Sequence, residues 1–350
     1  MKTIRIKFVG FGFEVKKENS IIIELLSKHF NVVLSDTPDY VFCSLFSNNQ
    51  AFSKGLLHGY CRYPQVRIMI EGENYVPDFN LADYAISSYP INFLDRHFSI
   101  PFGVEAFYYG SYKHFLELES GKRKFSKEDL KQKVYFANFL ANHDSENNIR
   151  GDFFKKLSQY KRVESPGKLY HNNDMVVSWR DDSKVDFQAK SKFTLCFEST
   201  KNEGFTTEKI IDAFYAGTIP VYYGSSTVKD IINPKAYIDV SDYKTMDEAI
   251  ERIKQLDNDD ELYMEMMREP IFINPLFQQK LMKSLEDFLV HIFEQSPEDA
   301  FRRSRLYTPK LHEDFLLTYE KKAFNDIYRW PLFKKKVLSL MHKEKTILNK

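Results

Sequence analysis

Cysteine is scarce: Cys43, Cys61 and Cys196 are the only three in 350 residues, and none forms a Cys-x-x-Cys pair. An odd count without paired spacing indicates neither a disulfide framework nor a zinc site and fits a reducing compartment. Glycine and proline are also few, 13 of each, which excludes a collagen-like or broadly disordered chain. Neither sign of charge dominates, with 50 Lys and Arg against 49 Asp and Glu. The basic excess of a nucleic-acid-coating protein is therefore missing. No segment reaches the ~18 uncharged apolar residues of a membrane span. The opening MKTIRIKFVGFGFEV places charges inside its apolar stretch, unlike a signal peptide. The expectation is a cytoplasmic protein with no nucleic-acid partner.

Hydrophobic residues make up 43% of the chain, and Phe and Tyr are abundant at 31 and 21, compatible with a ring-lined groove for planar or sugar ligands. The length favours two domains of ~150 residues with some chain left over. Charge is unevenly spread. Residues 301–350 hold 13 Lys or Arg against 5 Asp or Glu, so the tail reads as a separate basic object beside an acidic body.

Residues 4–9 alternate apolar and basic like a strand, and a helical pattern with Ile21, Ile22, Leu25 and Leu26 follows Asn19. Short β-rich runs at 31–34 and 40–46, then 67–71 and 84–87, complete a first α/β half. Residues 110–133 turn polar and charge-rich, and the domain boundary is expected there. A strand at 134–139, a helix at 144–160, a strand at 193–197, a helix at 207–215 ended by Gly217, and a strand at 218–223 compose a second half, with helical periodicity again at 245–256 and 261–267. Strands alternating with helices in both halves predict an α/β fold of two parallel-sheet layers with a cleft between them. The expected division is a first domain over 1–130, a second over 131–300 and a tail over 301–350.

The most informative stretch is FESTKNEGFTTEKIIDAFYAGTIPVYYG, residues 197–224. A strand leads through a polar loop into a helix whose first turn carries Glu208 and Lys209, and unpaired N–H groups beside a lysine suit a phosphate. Thr206 or Thr207 with a glutamate close behind is equally an ordinary helix start. Phe-Glu, Gly-Phe, Thr-Glu-Lys-Ile, the strand Thr-Ile-Pro-Val-Tyr-Tyr-Gly and the turn Asn233-Pro234-Lys235 follow one another in an order that resembles the α-1,3/4-fucosyltransferases of glycosyltransferase family 10, in particular their soluble bacterial branch. EGENYVPDFNLADY at 71–84 is similar to a second segment of those enzymes. Ala141-Asn142 followed by Asn148-Ile149-Arg150 is similar to a third. The resemblance covers roughly residues 65 to 295.

The resemblance implies two facing Rossmann-like domains, the GT-B architecture, with a basic helical tail. It implies inverting transfer of L-fucose from GDP-fucose to the 3- or 4-hydroxyl of N-acetylglucosamine in an N-acetyllactosamine-type oligosaccharide, as in Lewis antigen synthesis. Such a displacement needs a base on one face of the donor sugar and cations on the departing diphosphate. On this reading Glu73 is the base, with Glu71 its competitor two residues away, and Tyr75 stands where relatives often carry a further acid. Arg150 and Lys209 neutralise the leaving group, so no metal or other cofactor is required. Glu208 receives donor hydroxyls, and Glu198, Ser199 and Phe205 face the donor. The family commonly has Asn where Ser199 stands and Tyr where Phe205 stands. Asp181-Asp182 resembles half of an acidic metal motif, but SWRDDSKVD reads more simply as a solvated loop, and His143 and His171 as polar surface. Other readings are a GT-B transferase using a different nucleotide sugar, or a non-catalytic sugar- or nucleotide-binding protein.

Residues 329–350 place Trp330, Phe333, Val337, Leu340, Met341 and Leu348 beside a run of lysines. This basic amphipathic helix suits peripheral docking on the anionic inner face of a bacterial membrane, and equally packing back onto the acidic body.

Overall fold

The computed structural model describes residues 1–11, 14–45, 59–103, 109–145, 147–178 and 181–324. Strand β1 (Thr3–Val9) pairs in parallel with β2 (Asn31–Leu34) and β3 (Tyr40–Cys43). Between β1 and β2 lies helix α1 (Ile21–Ser27), capped by the Ser20 hydroxyl accepting the Ile23 N–H. β4 (Val66–Glu71), β5 (Tyr84–Ser87) and β6 (His97–Ser99) complete a six-stranded sheet in the order β2-β1-β3-β4-β5-β6, parallel throughout. The short strand β6 went unread because three residues carry too little periodicity.

The polar stretch at the expected domain boundary holds helices α2 (Tyr109–Glu117) and α3 (Lys127–Lys131). Its charge count hid a capping box at Ser126 and Asp129. A second parallel sheet follows: β7 (Tyr135–Phe139), α4 (Ile149–Ser158), β8 (Val163–Glu164), α5 (Ser183–Gln188), β9 (Ser191–Phe197), α6 (Lys209–Tyr215), β10 (Ile219–Tyr223) and β11 (Ile238–Asp239), in the order β11-β10-β9-β7-β8. Helix α4 starts several residues later than predicted. Part of the supposed loop around Asp181 is helix α5. α7 (Met246–Asn258) and α8 (Asp260–Arg268) pack on this sheet through Ile250, Ile253, Tyr263 and Met264.

The chain then returns to the first sheet. Helix α9 (Phe277–Glu294), in the stretch the sequence assigned to the second domain, buries Leu289, Ile292 and Phe293 in the core that contains β1, β3 and α1. The Phe293 ring lies 4.5 Å from Tyr40 and 5.9 Å from Phe42, and the Tyr40 hydroxyl donates to the Gln295 carbonyl at 3.1 Å. After α10 (Pro297–Ala300), the buried Arg303 pairs with Asp83 at 2.9 Å. Helix α11 (Tyr307–Phe324) carries Glu313, 2.5 Å from the buried guanidinium of Arg67. The start of the basic tail is thus anchored on first-domain carboxylates and arginines. The amphipathic stretch 329–350 lies outside the described residues. Among those described, no helix is long and apolar enough to cross a membrane.

Candidate functional site

In each sheet the strand order reverses once, between β1 and β3 and between β7 and β9. Open parallel sheets place ligands beyond the carboxyl ends of the strands at such points. One cavity of about 850 Å³ lies there, between the two sheets. The first domain contributes Ser44 after β3 and Gly72-Glu73 after β4. The second contributes the loop after β7 with Asn142 and His143, the loop after β8 with Lys168 and His171, and the segment 199–209 after β9. The loops after β7 and β8 touch at Gly167, where a Cβ would stand 2.4 Å from the Ala141 carbonyl oxygen, so only glycine allows the approach.

Glu73, Arg150, Ser199, Phe205, Glu208 and Lys209 all line this cavity. Glu73 is exposed at the cleft, yet the surrounding walls partly desolvate it and raise its pKa above the ordinary glutamate value; the positive charge of Lys209 opposes that rise, and Glu208 and Glu198 add to it. The base candidate and the cation therefore sense each other across the cleft. Glu71 ends β4 fully buried, accepting the Glu73 N–H at 3.2 Å and the Leu45 N–H at 3.4 Å. Burial pushes its pKa up to about 7. Glu71 does not line the cavity; it braces the backbone that presents Glu73.

Arg150, in the first turn of α4, is held by the Phe197 carbonyl, which accepts from Nε at 3.0 Å and Nη2 at 2.7 Å, and by the His143 carbonyl at 3.1 Å. Burial lowers its pKa. The ammonium of Lys209 donates to Glu198 at 3.1 Å and to the Thr207 hydroxyl at 2.7 Å. Burial would lower the Lys209 pKa, but Glu198 and Glu208 outweigh it and the net shift is upward.

Glu198, expected beside Ser199, does not line the cavity. It is 1% exposed and turns away from the cavity, accepting the Thr207 N–H at 2.8 Å as well as the Thr207 hydroxyl and Lys209. Its partners replace the hydration a buried carboxylate loses, so it shapes the loop. Phe205, 1% exposed, forms wall and offers little ring surface. Ser199 is half-buried at the rim.

Several cavity residues were missed from the sequence. Lys184 on α5 donates to Asp212 at 2.6 Å and to Glu208 at 3.4 Å. Burial disfavours the Glu208 carboxylate, yet Lys209 and Lys184 hold its pKa below the usual range. His114 on α2 lies 2.8 Å from Asp212 and stacks on Tyr215 at 4.1 Å. Glu208 and Asp212 stand four residues apart, on one helical face; Asp212 is buried and Glu208 about one third exposed, and two acids at that spacing suit a shared cation, a spacing available in the sequence. His143 and His171, read as surface, also line the cavity. Asp181 does too, whereas Asp182 faces His114 at 3.4 Å. Among the described residues no group of three His, Cys, Asp or Glu side chains is arranged to hold a metal ion.

Residues 130–270 match the family description "Glycosyltransferase family 10 (fucosyltransferase) C-term", and residues 6–108 match "Alpha-(1,3)-fucosyltransferase FucT N-terminal domain". The chain is 30% identical over 294 residues to the alpha-(1,3)-fucosyltransferase FucT of Helicobacter pylori, an alignment covering 75% of this chain and 58% of that protein. It is 31% identical over 125 residues to GDP-fucose protein O-fucosyltransferase 3 of Xenopus tropicalis, covering 34% and 26%. The chain thus spans 58% and 26% of the length of these relatives, less than two thirds in each case. A crystal structure of an alpha1,3-fucosyltransferase with GDP-fucose superposes with a TM-score of 0.61 at 25% identity, covering 82% of this chain and 90% of that one. The two parallel-sheet domains of the present chain are the GT-B architecture. With both halves of the cleft matched in chain order, the protein belongs to glycosyltransferase family 10, the fucosyltransferase family.

Proposed function

We propose that this protein transfers L-fucose from GDP-fucose, with inversion, to the 3- or 4-hydroxyl of N-acetylglucosamine in an N-acetyllactosamine-type oligosaccharide. The observation that carries the reading is the shared cavity: Glu73 enters from one sheet, and Arg150 and Lys209 from the other. A solved relative holds GDP-fucose. Support for a sugar acceptor comes from the first domain, which matches the FucT N-terminal description over 6–108, whereas the likeness to the protein O-fucosyltransferase extends over only 34% of the chain.

In this reading the Glu73 carboxylate takes the proton of the acceptor hydroxyl as its oxygen bonds to the anomeric carbon. The bond from that carbon to the β-phosphate oxygen breaks, and its electron pair leaves with GDP. Lys209 supplies a point charge to the diphosphate. Arg150 directs its positive field there while its N–H groups hold the Phe197 and His143 carbonyls. Glu208, kept ionised by Lys184 and Lys209, receives donor hydroxyls and favours positive charge developing on the sugar ring. These cations provide the counter-charge, so turnover is expected to persist in a chelator. The free thiols Cys43, Cys61 and Cys196 fit a cytoplasmic setting.

Titration calorimetry with GDP, UDP and ADP, paired with a transfer assay on N-acetyllactosamine, tests the reading. GDP is expected to bind tightest and fucosylated product to form. Preference for UDP, or no transfer from GDP-fucose, overturns it.

A further inference from the structure

The loop that carries Glu73 is tied to the opposite domain by its next residue. The Asn74 amide nitrogen donates to the Thr200 hydroxyl at 2.9 Å. Its amide oxygen accepts from the Asn202 amide at 2.9 Å and from the Tyr89 hydroxyl. One side chain thus uses both ends of its amide, reaching two residues of the 199–204 loop of the second domain and one tyrosine of the first. Tyr89 is 9% exposed and fixes the first-domain side.

The same loop meets the first domain at two further places. A Cβ on Gly204, whose φ is +85°, would stand 2.2 Å from the Pro90 Cδ, and the Phe102 N–H donates to the Thr206 hydroxyl at 3.1 Å. The 199–206 segment, which runs on into Glu208 and Lys209, is therefore registered against the first domain by Asn74, Pro90 and Phe102. Of these three, only Asn74 adjoins the carboxylate that faces the cavity.

We propose that Asn74 is a positioning residue: its amide fixes the Glu73 loop against the donor-side loop and so sets the distance between the base and the sugar held by the second domain. The proposal rests on the fucosyl-transfer reading, in which Glu73 removes the acceptor proton. Displacing a catalytic group by about 1 Å costs up to ~10²-fold in rate, and Asn74 controls that distance without touching substrate. The side chains of Arg150, Glu208 and Lys209 are held by partners other than Asn74.

The test is a double-mutant cycle across the domains on the full chain, with Asn74→Ala, Thr200→Val and the pair, reading kcat for transfer, GDP affinity and thermal midpoint. Asn74→Ala is expected to lower kcat roughly 10–100-fold with GDP affinity unchanged. Thr200→Val is expected to lower kcat less, and the pair to be no slower than Asn74→Ala alone, since the two share one contact. Asn74→Asp, which keeps the acceptor but loses the donor, is expected to fall between wild type and alanine. Additive losses in the pair, a kcat unchanged in Asn74→Ala, or a loss of GDP affinity in step with kcat overturns the proposal. Should Asn74→Ala not fold, Thr200→Val against Asn74→Asp decides by the same criterion. Glu73→Gln is run alongside: wild-type turnover there removes Glu73 as base, whereas an additive cycle with Glu73→Gln inactive removes only the role of Asn74.

Discussion

The Lys209 ammonium lies 3.1 Å from the Glu198 carboxylate, and that carboxylate also accepts the N–H and hydroxyl of Thr207. A fully buried acid at the end of β9 therefore aims the cation that lines the cavity, and the loop between them is folded around this pair.

Replacing Glu198 by Gln keeps the volume but removes the charge and one strong acceptor. Hydrogen bonds to charged groups contribute about 1.5–3 kcal/mol, so a fall in denaturation free energy of about that size is expected, together with weaker GDP binding as Lys209 loses its anchor. Chemical denaturation and calorimetry read the two effects separately. Unchanged GDP affinity would show that Lys209 is held by other means.

Glu73→Gln is expected to lose transfer by ~10²–10⁴-fold, the usual contribution of general acid–base catalysis, with GDP affinity retained. Because its carboxyl is raised above the ordinary glutamate range, and because only the ionised form accepts a proton, kcat/KM is expected to fall as pH drops through that raised value. A profile flat down to the ordinary glutamate range would contradict the assignment.

Glu71 titrates in the opposite sense for stability. Its folded pKa of about 7 exceeds the ordinary glutamate value of 4.5, so the fold binds a proton that the unfolded chain has released. That contribution is fully present below pH ~4.5 and is lost as pH rises through about 7. Glu71→Gln is expected to flatten the decline in stability over this window. Denaturant midpoints at pH 5 and pH 8 check it; an unaltered decline in the variant would assign the titration elsewhere.

Lys184→Met leaves Asp212 and Glu208 with one cation fewer in a buried setting. Breaking a buried pair typically costs about 3–5 kcal/mol, and Lys184 is 16% exposed against 4% for Asp212. A marked drop in stability is expected, with a higher KM for the donor as Glu208 loses a charge that keeps it ionised. Lys184→Arg, which preserves the charge, is expected to recover most of the donor affinity. Failure of arginine to rescue would mean that the stem of Lys184, and not its charge, matters.

Much of the site was legible in the primary structure because it lies in contiguous segments: a strand, its following loop and the next helix start bring residues 197–209 together by local geometry alone. The alternation of strands and helices likewise determined two parallel sheets, since period-2 runs separated by helical ones leave few other packings. What tertiary structure decided were contacts between distant segments. The inward turn of Glu198 depends on Thr207 and Lys209 meeting it after the loop closes. The cation beneath Glu208 comes from Lys184, in a stretch whose charges resemble solvated surface. His114 reaches Asp212 from a helix concealed by a polar, charge-rich composition. The return of α9 to the first sheet follows from Phe293 fitting between Tyr40 and Phe42, a match of shape that no periodicity records. Local pattern specifies elements because each is stabilised by neighbours in sequence, while the cleft is made by side chains that become neighbours only when both sheets have formed.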